Sequence, residues 1–235
     1  MFLKPFLTEA GFERGRPPRD HRLVLDSIFW IARTGAQWRD LPDHLGKWAS
    51  VYRQIRRWTL SRIRELLLDA LNDTEDAPHN VQMIDSPIVW THPSCCRCKG
   101  ETQKEGFWRS KGGFTNKAHL RTNGGGLPMK AEFTGGCIPD YKGYDPVLRG
   151  GPDPKVPLAD RGYAAICIRS DVEARSGAPV IPMRKIRLGA AAHRRPLYAL
   201  RNPVERLIIT LKNACRIATR YDKTAACHLC FVNRA

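Results

Sequence analysis

The chain has 235 residues and a formal net charge of +16 at pH 7. That length admits one domain or two small ones with a sizeable core, and so large a surplus favours a polyanionic partner, nucleic acid foremost. No apolar run approaches the ~20 residues needed to cross a bilayer, and the opening "MFLKPFLTEAGFERG" is broken by Lys4, Pro5 and Glu9, so neither a span nor a secretory signal is read there and a cytoplasmic setting with reduced cysteines is expected.

In chain order, "DHRLVLDSIFWIARTG" reads as a helix with Asp20 as its N-cap and Gly35 as its stop. Leu25, Ile28, Phe29 and Ala32 form its apolar stripe. After the break "RDLP", the segment from Ser50 carries Val51, Tyr52, Ile55 and Trp58 on one face, and Ile63, Leu66, Leu67 and Ala70 extend the pattern into a second helix. Arg53, Arg56 and Arg57 hold the other face, with Arg62 and Arg64 close by. Helix, tight break and basic helix is the layout of a helix-turn-helix module, which predicts DNA contact through Arg53, Arg56 and Arg57. A helical bundle with a solvated basic face is the alternative.

"NDTEDAPHN" (72–80) is polar, acidic and contains Pro78, and reads as a linker. It divides the chain into a small all-α domain over 1–76 and a second domain over 77–235. In the second domain "VQMIDSPIV" is a short apolar run with one acid, Asp85. The cluster Cys95, Cys96 and Cys98 lacks a second CxxC pair or HxxxH to complete a zinc site, so loop thiols are the simpler reading. "GFTNKAHLRT" and "LPMKAEFTG" alternate around the turn signal "NGGG", with Ala118, Leu120, Met129, Ala131 and Phe133 inward. "KVPLADRGY" ends a further apolar run in Asp160, "AAICIRSDVEARSG" reads as a helix stopped by Gly177, and "APVIPM" as a strand. Several strands followed by alternating helix, strand and helix describe an α/β sheet domain.

Asp85 and Asp160 both punctuate probable buried strands, where α/β folds keep their chemistry at the rim of the sheet. On neighbouring strands two such acids repel each other and favour a divalent cation with hard oxygen ligands, Mg²⁺ or Mn²⁺. A helix cap or a turn explains each acid taken alone. Glu205, in "YALRNPVERLIITLK" (198–212), also has a plain explanation. Asn202 looks like an N-cap, Pro203 suits the first helical position, and Glu205 falls where a capping box takes its acid. Val204, Leu207, Ile208 and Leu211 form the buried stripe of that helix, while Glu205 and Lys212 lie two turns apart on nearly one line, with Tyr198 and Arg201 at the same end. One acid beside two cations and a phenol suits a metal next to a phosphate.

The spacing Tyr198, Arg201, Glu205, Lys212 resembles the signature of bacterial insertion-sequence transposases. Further blocks resemble the insertion-sequence-five group in the same order: "GRPPRDHRLVLDSIFWIARTGAQWRDLP", "VYRQIRRW", "MIDS", "KGGFTNKAHLRTN", "GLPMKAEFTGG", "LADRGY", "PVIPMRK" and "RIATRYDKTA". The resemblance implies a ribonuclease-H-like catalytic domain, a mixed central sheet flanked by helices, preceded by the small helix-turn-helix-like domain. It implies a catalytic, metal-binding triad of Asp85, Asp160 and Glu205 holding two Mg²⁺ or Mn²⁺ ions about 3.5–4 Å apart. Arg201 and Lys212 are implied to contact DNA phosphates and Tyr198 to order that end. The implied partners are double-stranded DNA, as terminal inverted repeats and target, and a second copy of the chain in a synaptic homodimer. Departures stand at Pro87 (usually Thr), Trp90 (usually Arg), Thr91-His92 (usually Ala-His), Ala164 (usually Asp) and in "LIITLK". Three activities therefore stay open: transposase, DNA-binding remnant without chemistry, and ribonuclease-H-like nuclease that cuts without joining.

Overall fold

The computed structural model describes residues 20–73, 80–96, 106–183 and 195–232. Most of the expected linker, Cys98 and the basic loop 184–194 lie outside the described residues.

The first helix, α1 (His21–Thr34), begins where Asp20 accepts the Arg22 N–H and ends at Gly35, whose φ of 69° is the left-handed closure that glycine adopts without penalty. Its buried side is Val24, Leu25, Ser27, Ile28 and Ile31. Phe29, expected in the stripe, is exposed, because it sits about 100° round the helix from Ile28. Two further helices, α2 (Trp48–Leu60) and α3 (Ile63–Asp73), are separated at Ser61–Arg62, with Arg62 at φ 52°. Val51, Ile55 and Trp58 are buried, and Arg53, Arg56 and Arg57 are exposed on the opposite face. In α3 the burial falls on Ile63, Leu67 and Leu68, and Leu66 is exposed against expectation.

The sheet is built around one long strand. Its members are β1 (Val81–Asp85), β2 (Ile88–Thr91), β3 (Trp108–Ser110), β4 (Gly113–Asn123), β5 (Pro128–Gly135), β6 (Val156–Ala159) and β7 (Thr219–Arg220). The order is β6-β1-β4-β2-β7, and β3 and β5 also pair with β4. The apolar run "VQMIDSPIV" becomes two strands rather than one. Both β1 and β2 pair antiparallel with β4, with Asp85 opposite Leu120 and Ile88 opposite Lys117. Pro87 explains the break, since it has no N–H to give a ladder; its carbonyl accepts the Ala118 N–H at 3.0 Å. The β4–β5 hairpin turns where expected, with the Asn123 side chain accepting the N–H groups of Gly125 and Leu127.

The remaining helices are α4 (Tyr144–Leu148), α5 (Ile166–Ala174), α6 (Arg195–Tyr198), α7 (Asn202–Asn213), α8 (Cys215–Ala218) and α9 (Ala225–Val232). The α5 helix stops before Gly177, with Ser176 in the left-handed region at φ 59°. "APVIPM" contributes a single bridge, Val180 to Leu158, rather than a strand, although Val180 and Ile181 are buried.

One apolar cluster joins Ile28, Ile55 and Trp58 of the N-terminal helices to Leu120 and Ala131 of the sheet and to Leu211 and Phe231 of the last helices. The core thus runs across the expected boundary at 76/77. A buried cation reinforces this junction. Arg216 lies within cation–π range of Trp38, Tyr221 and Phe231 and donates to Asp222 Oδ1 at 3.0 Å. No helix among the described residues is long and apolar enough to cross a membrane.

Candidate active site

Strands β1 and β6 run parallel, and their last paired residues are Ile84 and Ala159. The next residue on each chain is an acid, so Asp85 and Asp160 stand side by side at the carboxyl ends of neighbouring strands, about 5 Å apart at the backbone. Each is held by its own turn. Asp85 Oδ1 accepts the Ser86 N–H at 2.7 Å, and Asp160 Oδ1 accepts the Gly162 N–H at 2.9 Å. Gly162 permits a third acid to approach, since a Cβ there would run into the Asp140 carboxylate. Burial pushes the Asp160 carboxyl above its usual range and the charges of Asp85 and Asp140 push the same way, against the Gly162 N–H and Arg201. Asp140 itself is neutralised by Lys117 Nζ at 2.8 Å.

The counter-ion to Asp85 is Arg201. It is buried, donates from Nη2 to Asp85 Oδ2 at 2.7 Å and from Nη1 to the Tyr198 hydroxyl at 2.7 Å, and its Nε has no hydrogen-bond partner among the described residues. Burial works against the charge, but Asp85 and Tyr198 outweigh it and hold the guanidinium above its ordinary pKa. Three of the four signature positions are thus placed. Arg201 joins Asp85 directly, Tyr198 reaches it only through Arg201, and Glu205 follows Arg201 by one helical turn.

The N-cap and capping box expected at Asn202 and Glu205 do not form. Asn202 is helical (φ −50°, ψ −38°), because the turn Ala199–Arg201 runs straight into α7. Helix already precedes Asn202, so no free helix start remains there for a capping pair to close. Glu205 is exposed and has neither hydrogen bond nor ion pair among the described residues. The plain explanation for that acid is therefore gone. Yet the three acids do not converge, because among the described residues no three His, Cys, Asp or Glu side chains come together as a metal cage. The structure assembles Asp85 with Asp160 and leaves Glu205 about 6 Å along the helix axis from Arg201, which touches Asp85. Lys212 is exposed two turns further on. Of the cysteine trio, Cys95 is buried and its thiol donates to the Arg220 carbonyl.

Behind the aspartates lies a polar group that sequence reading passed over. Ser86 Oγ is hydrogen-bonded to His119 Nδ1 at 2.5 Å and to the Tyr163 hydroxyl, and His119 Nε2 meets Thr134 Oγ1 at 2.7 Å. Gly143 backs the imidazole so closely that a Cβ would overlap it. The signal for His119 was the alternation in "NKAHLRT", which puts Lys117, His119 and Arg121 on one face of β4. Alternation with the inward Ala118 and Leu120 would turn all three to solvent, but His119 and Arg121 are buried under α4 and the Tyr163 turn. Burial pulls the His119 pKa from 6.5 down to about 4. The folded chain thus holds fewer protons than the unfolded one between those values, so stability falls as pH drops from about 6.5 towards about 4, by on the order of 3 kcal/mol in full. Urea titrations across that window show the slope, and His119→Gln flattens this part of it.

Two family models match. The model described as "Putative transposase of IS4/5 family" covers residues 1–68, and the transposase DDE domain covers residues 76–231. The chain belongs to the DDE transposase family. The resemblance read from the sequence is thereby confirmed, as is its insertion-sequence character. The transposase is 34% identical over 117 residues to the uncharacterised protein y4sN of Sinorhizobium fredii, covering 49% of this chain and 85% of that one. It is 33% identical over 81 residues to the 16.2 kDa protein of insertion element IS402 from Burkholderia cepacia, 32% of this chain and 55% of that one. Among solved structures, the piggyBac transposase synaptic complex with hairpin DNA matches with a TM-score of 0.53 at 11% identity, over 98% of this chain and 70% of that one. At that identity the likeness speaks for the fold, the α/β sheet with flanking helices expected of the transposase.

Proposed function

We propose that this transposase cuts the phosphodiester at the ends of its insertion sequence and joins the freed 3′-hydroxyl to target DNA, with Asp85, Asp160 and Glu205 as its catalytic carboxylates. The observation that carries this reading is the pair Asp85–Asp160 on adjacent parallel strands, bridged by Arg201 to the helix that bears Glu205. The donor set fits divalent ions. It consists of carboxylate oxygens on neighbouring strands, with burial first and the nearby acids after it raising the Asp160 pKa, and with Arg201 the cation that contacts Asp85.

Asp85 and Asp160 would hold two Mg²⁺ or Mn²⁺ ions, and Glu205 would complete the set once Arg201 leaves Asp85 for the DNA. When bound, the ions supply charge neutralisation at the attacking and leaving oxygens of an in-line displacement. The chain's own side chains do the positioning, which with electrostatics is the greater part of phosphoryl transfer catalysis. Arg201 and Lys212 take non-bridging phosphate oxygens, and Tyr198 keeps the guanidinium oriented through its hydroxyl. Asp160 stays turned to the site by the Gly162 N–H. The attacking group is water in the first step and the DNA 3′-hydroxyl in the second, so no protein–DNA covalent bond forms.

The N-terminal part, 1–76, is assigned to holding the element ends and 77–235 to the chemistry, with two copies of the chain pairing two ends on nucleoid DNA. Arg53, Arg56 and Arg57 share one exposed face of α2. If that face follows the backbone, replacing all three by alanine lowers the salt slope of binding by about three units, one for each phosphate that is no longer neutralised. Fluorescence anisotropy between low and moderate salt measures this, and an unchanged slope places the DNA elsewhere.

The function is tested on a supercoiled plasmid carrying the element's own ends, with Mg²⁺. Nicked or linear species together with joined products are expected. Band shift without cleavage identifies a DNA-binding remnant, and cleavage without joining identifies a nuclease.

A further inference from the structure

Asp85 is the last residue of β1 and Asp160 the first residue after β6, where the β1–β6 ladder has ended at Ile84 and Ala159. Asp85 is still paired with Leu120 of β4, but no rung of the β1–β6 ladder joins the two acids themselves. What spans the gap is the side-chain group behind them. Ser86, which follows Asp85 and donates its N–H to it, is hydrogen-bonded through Oγ to the hydroxyl of Tyr163. Tyr163 belongs to the turn Arg161–Tyr163, whose Gly162 N–H holds Asp160. A single hydroxyl–hydroxyl bond therefore ties the turn after one acid to the turn after the other. His119 braces both ends, at 2.5 Å from Ser86 Oγ and 3.3 Å from the Tyr163 hydroxyl, and is itself held by Thr134 on β5. His119 and Tyr163 are fully buried, so water does not compete for these bonds.

Resting on the assignment of Asp85 and Asp160 as metal ligands, we propose that Ser86, Tyr163 and His119 act as a positioning clamp that sets the spacing of the two carboxylates and thereby selects the size of the divalent ion they accept. Mg²⁺ takes oxygen ligands at about 2.0–2.1 Å in near-ideal octahedral geometry, whereas Ca²⁺ takes them at about 2.3–2.6 Å in flexible geometry. A carboxylate pair held at fixed separation discriminates between these ions. A pair whose turns can part discriminates less. A network that only satisfied buried polar groups would contribute to folding but would leave this preference untouched.

The full-length chain is titrated with Mn²⁺ by electron paramagnetic resonance of the free ion, with Mg²⁺ and Ca²⁺ as competitors. Ser86→Ala and Tyr163→Phe are compared with the parent, and thermal melts in EDTA record folding. Each variant is expected to weaken Mg²⁺ binding by about tenfold and Ca²⁺ binding by clearly less, and the double variant is expected to be no worse than either single one. Equal weakening of both ions, or no change in either variant, overturns the clamp. If Tyr163→Phe melts too low to assay, Ser86→Ala decides alone. Asp85→Asn separates this inference from the one beneath it. If that variant binds Mn²⁺ as the parent does, the metal assignment of Asp85 fails, and the clamp falls with it.

Discussion

Asp160→Asn is expected to abolish strand cleavage, a loss on the order of 10³-fold or more, without weakening the fold. The Asp160 carboxyl is half-buried and its charge is opposed by burial, by Asp85 and by Asp140. Asparagine keeps the oxygen that accepts the Gly162 N–H and removes the charge. An acid whose folded pKa is raised favours folding only while protonated. The parent therefore loses stability as pH rises from the unfolded value through the folded one, and the variant lacks that loss. Equal or higher stability at neutral pH with no cleavage is the signature of a charge kept for chemistry.

The other two acids have different signatures. Asp85→Asn costs the same activity and also destabilises by about 2–3 kcal/mol, because Arg201 is left buried without its counter-ion. Glu205→Gln costs activity and leaves stability within about 0.5 kcal/mol, as befits an exposed side chain with no partner among the described residues. Cleavage of the plasmid and urea unfolding of the three variants together separate these cases. Unchanged cleavage in Glu205→Gln removes that residue from the triad.

The largest loss of stability is expected from Asp222→Ala, about 3–5 kcal/mol. Arg216 and Asp222 are both buried and paired at 3.0 Å. Burial pushes the Asp222 carboxyl up, but His228 and Arg216 outweigh it and hold the carboxyl below the usual range. Truncating the acid leaves a guanidinium inside a cage of Trp38, Tyr221 and Phe231. The contrast that identifies the cause is Arg216→Met with Asp222→Leu. Removing both charges together recovers most of the loss, because the cost lies in the stranded ion rather than in the missing bond. Urea unfolding midpoints report both values. Trp38 lies just after α1, so the N-terminal helices are expected to lose their docking in the same transition.

What was legible in the sequence follows a physical pattern. Local signals were read correctly where they are nearly self-sufficient. Asp20 and Gly35 bound a helix, Asn123 turns a hairpin, and Arg53, Arg56 and Arg57 share a helix face, because cap chemistry and a 3.6-residue period act within one or two turns. The ordered motifs were enough for the family, since spacing along the chain is itself the record being matched.

The errors fell where the surrounding structure, whether the adjacent segment or a distant one, overrides a local preference. Asn202 and Glu205 carry a good capping pattern, but residues 195–201 are already helical, and that removes the free helix end a cap needs. His119 alternates like a surface residue, but α4 and the Tyr163 turn cover that face of β4. The sequence by itself determined the family and most of the local elements and supplied the candidate acids, because each is written in short-range spacing. Only the tertiary structure decided which groups meet. It set Asp160 beside Asp85, turned Arg201 onto Asp85 with Glu205 still apart, and ran one core through both halves, because partners far apart in the chain are chosen by packing and charge compensation that no local window contains.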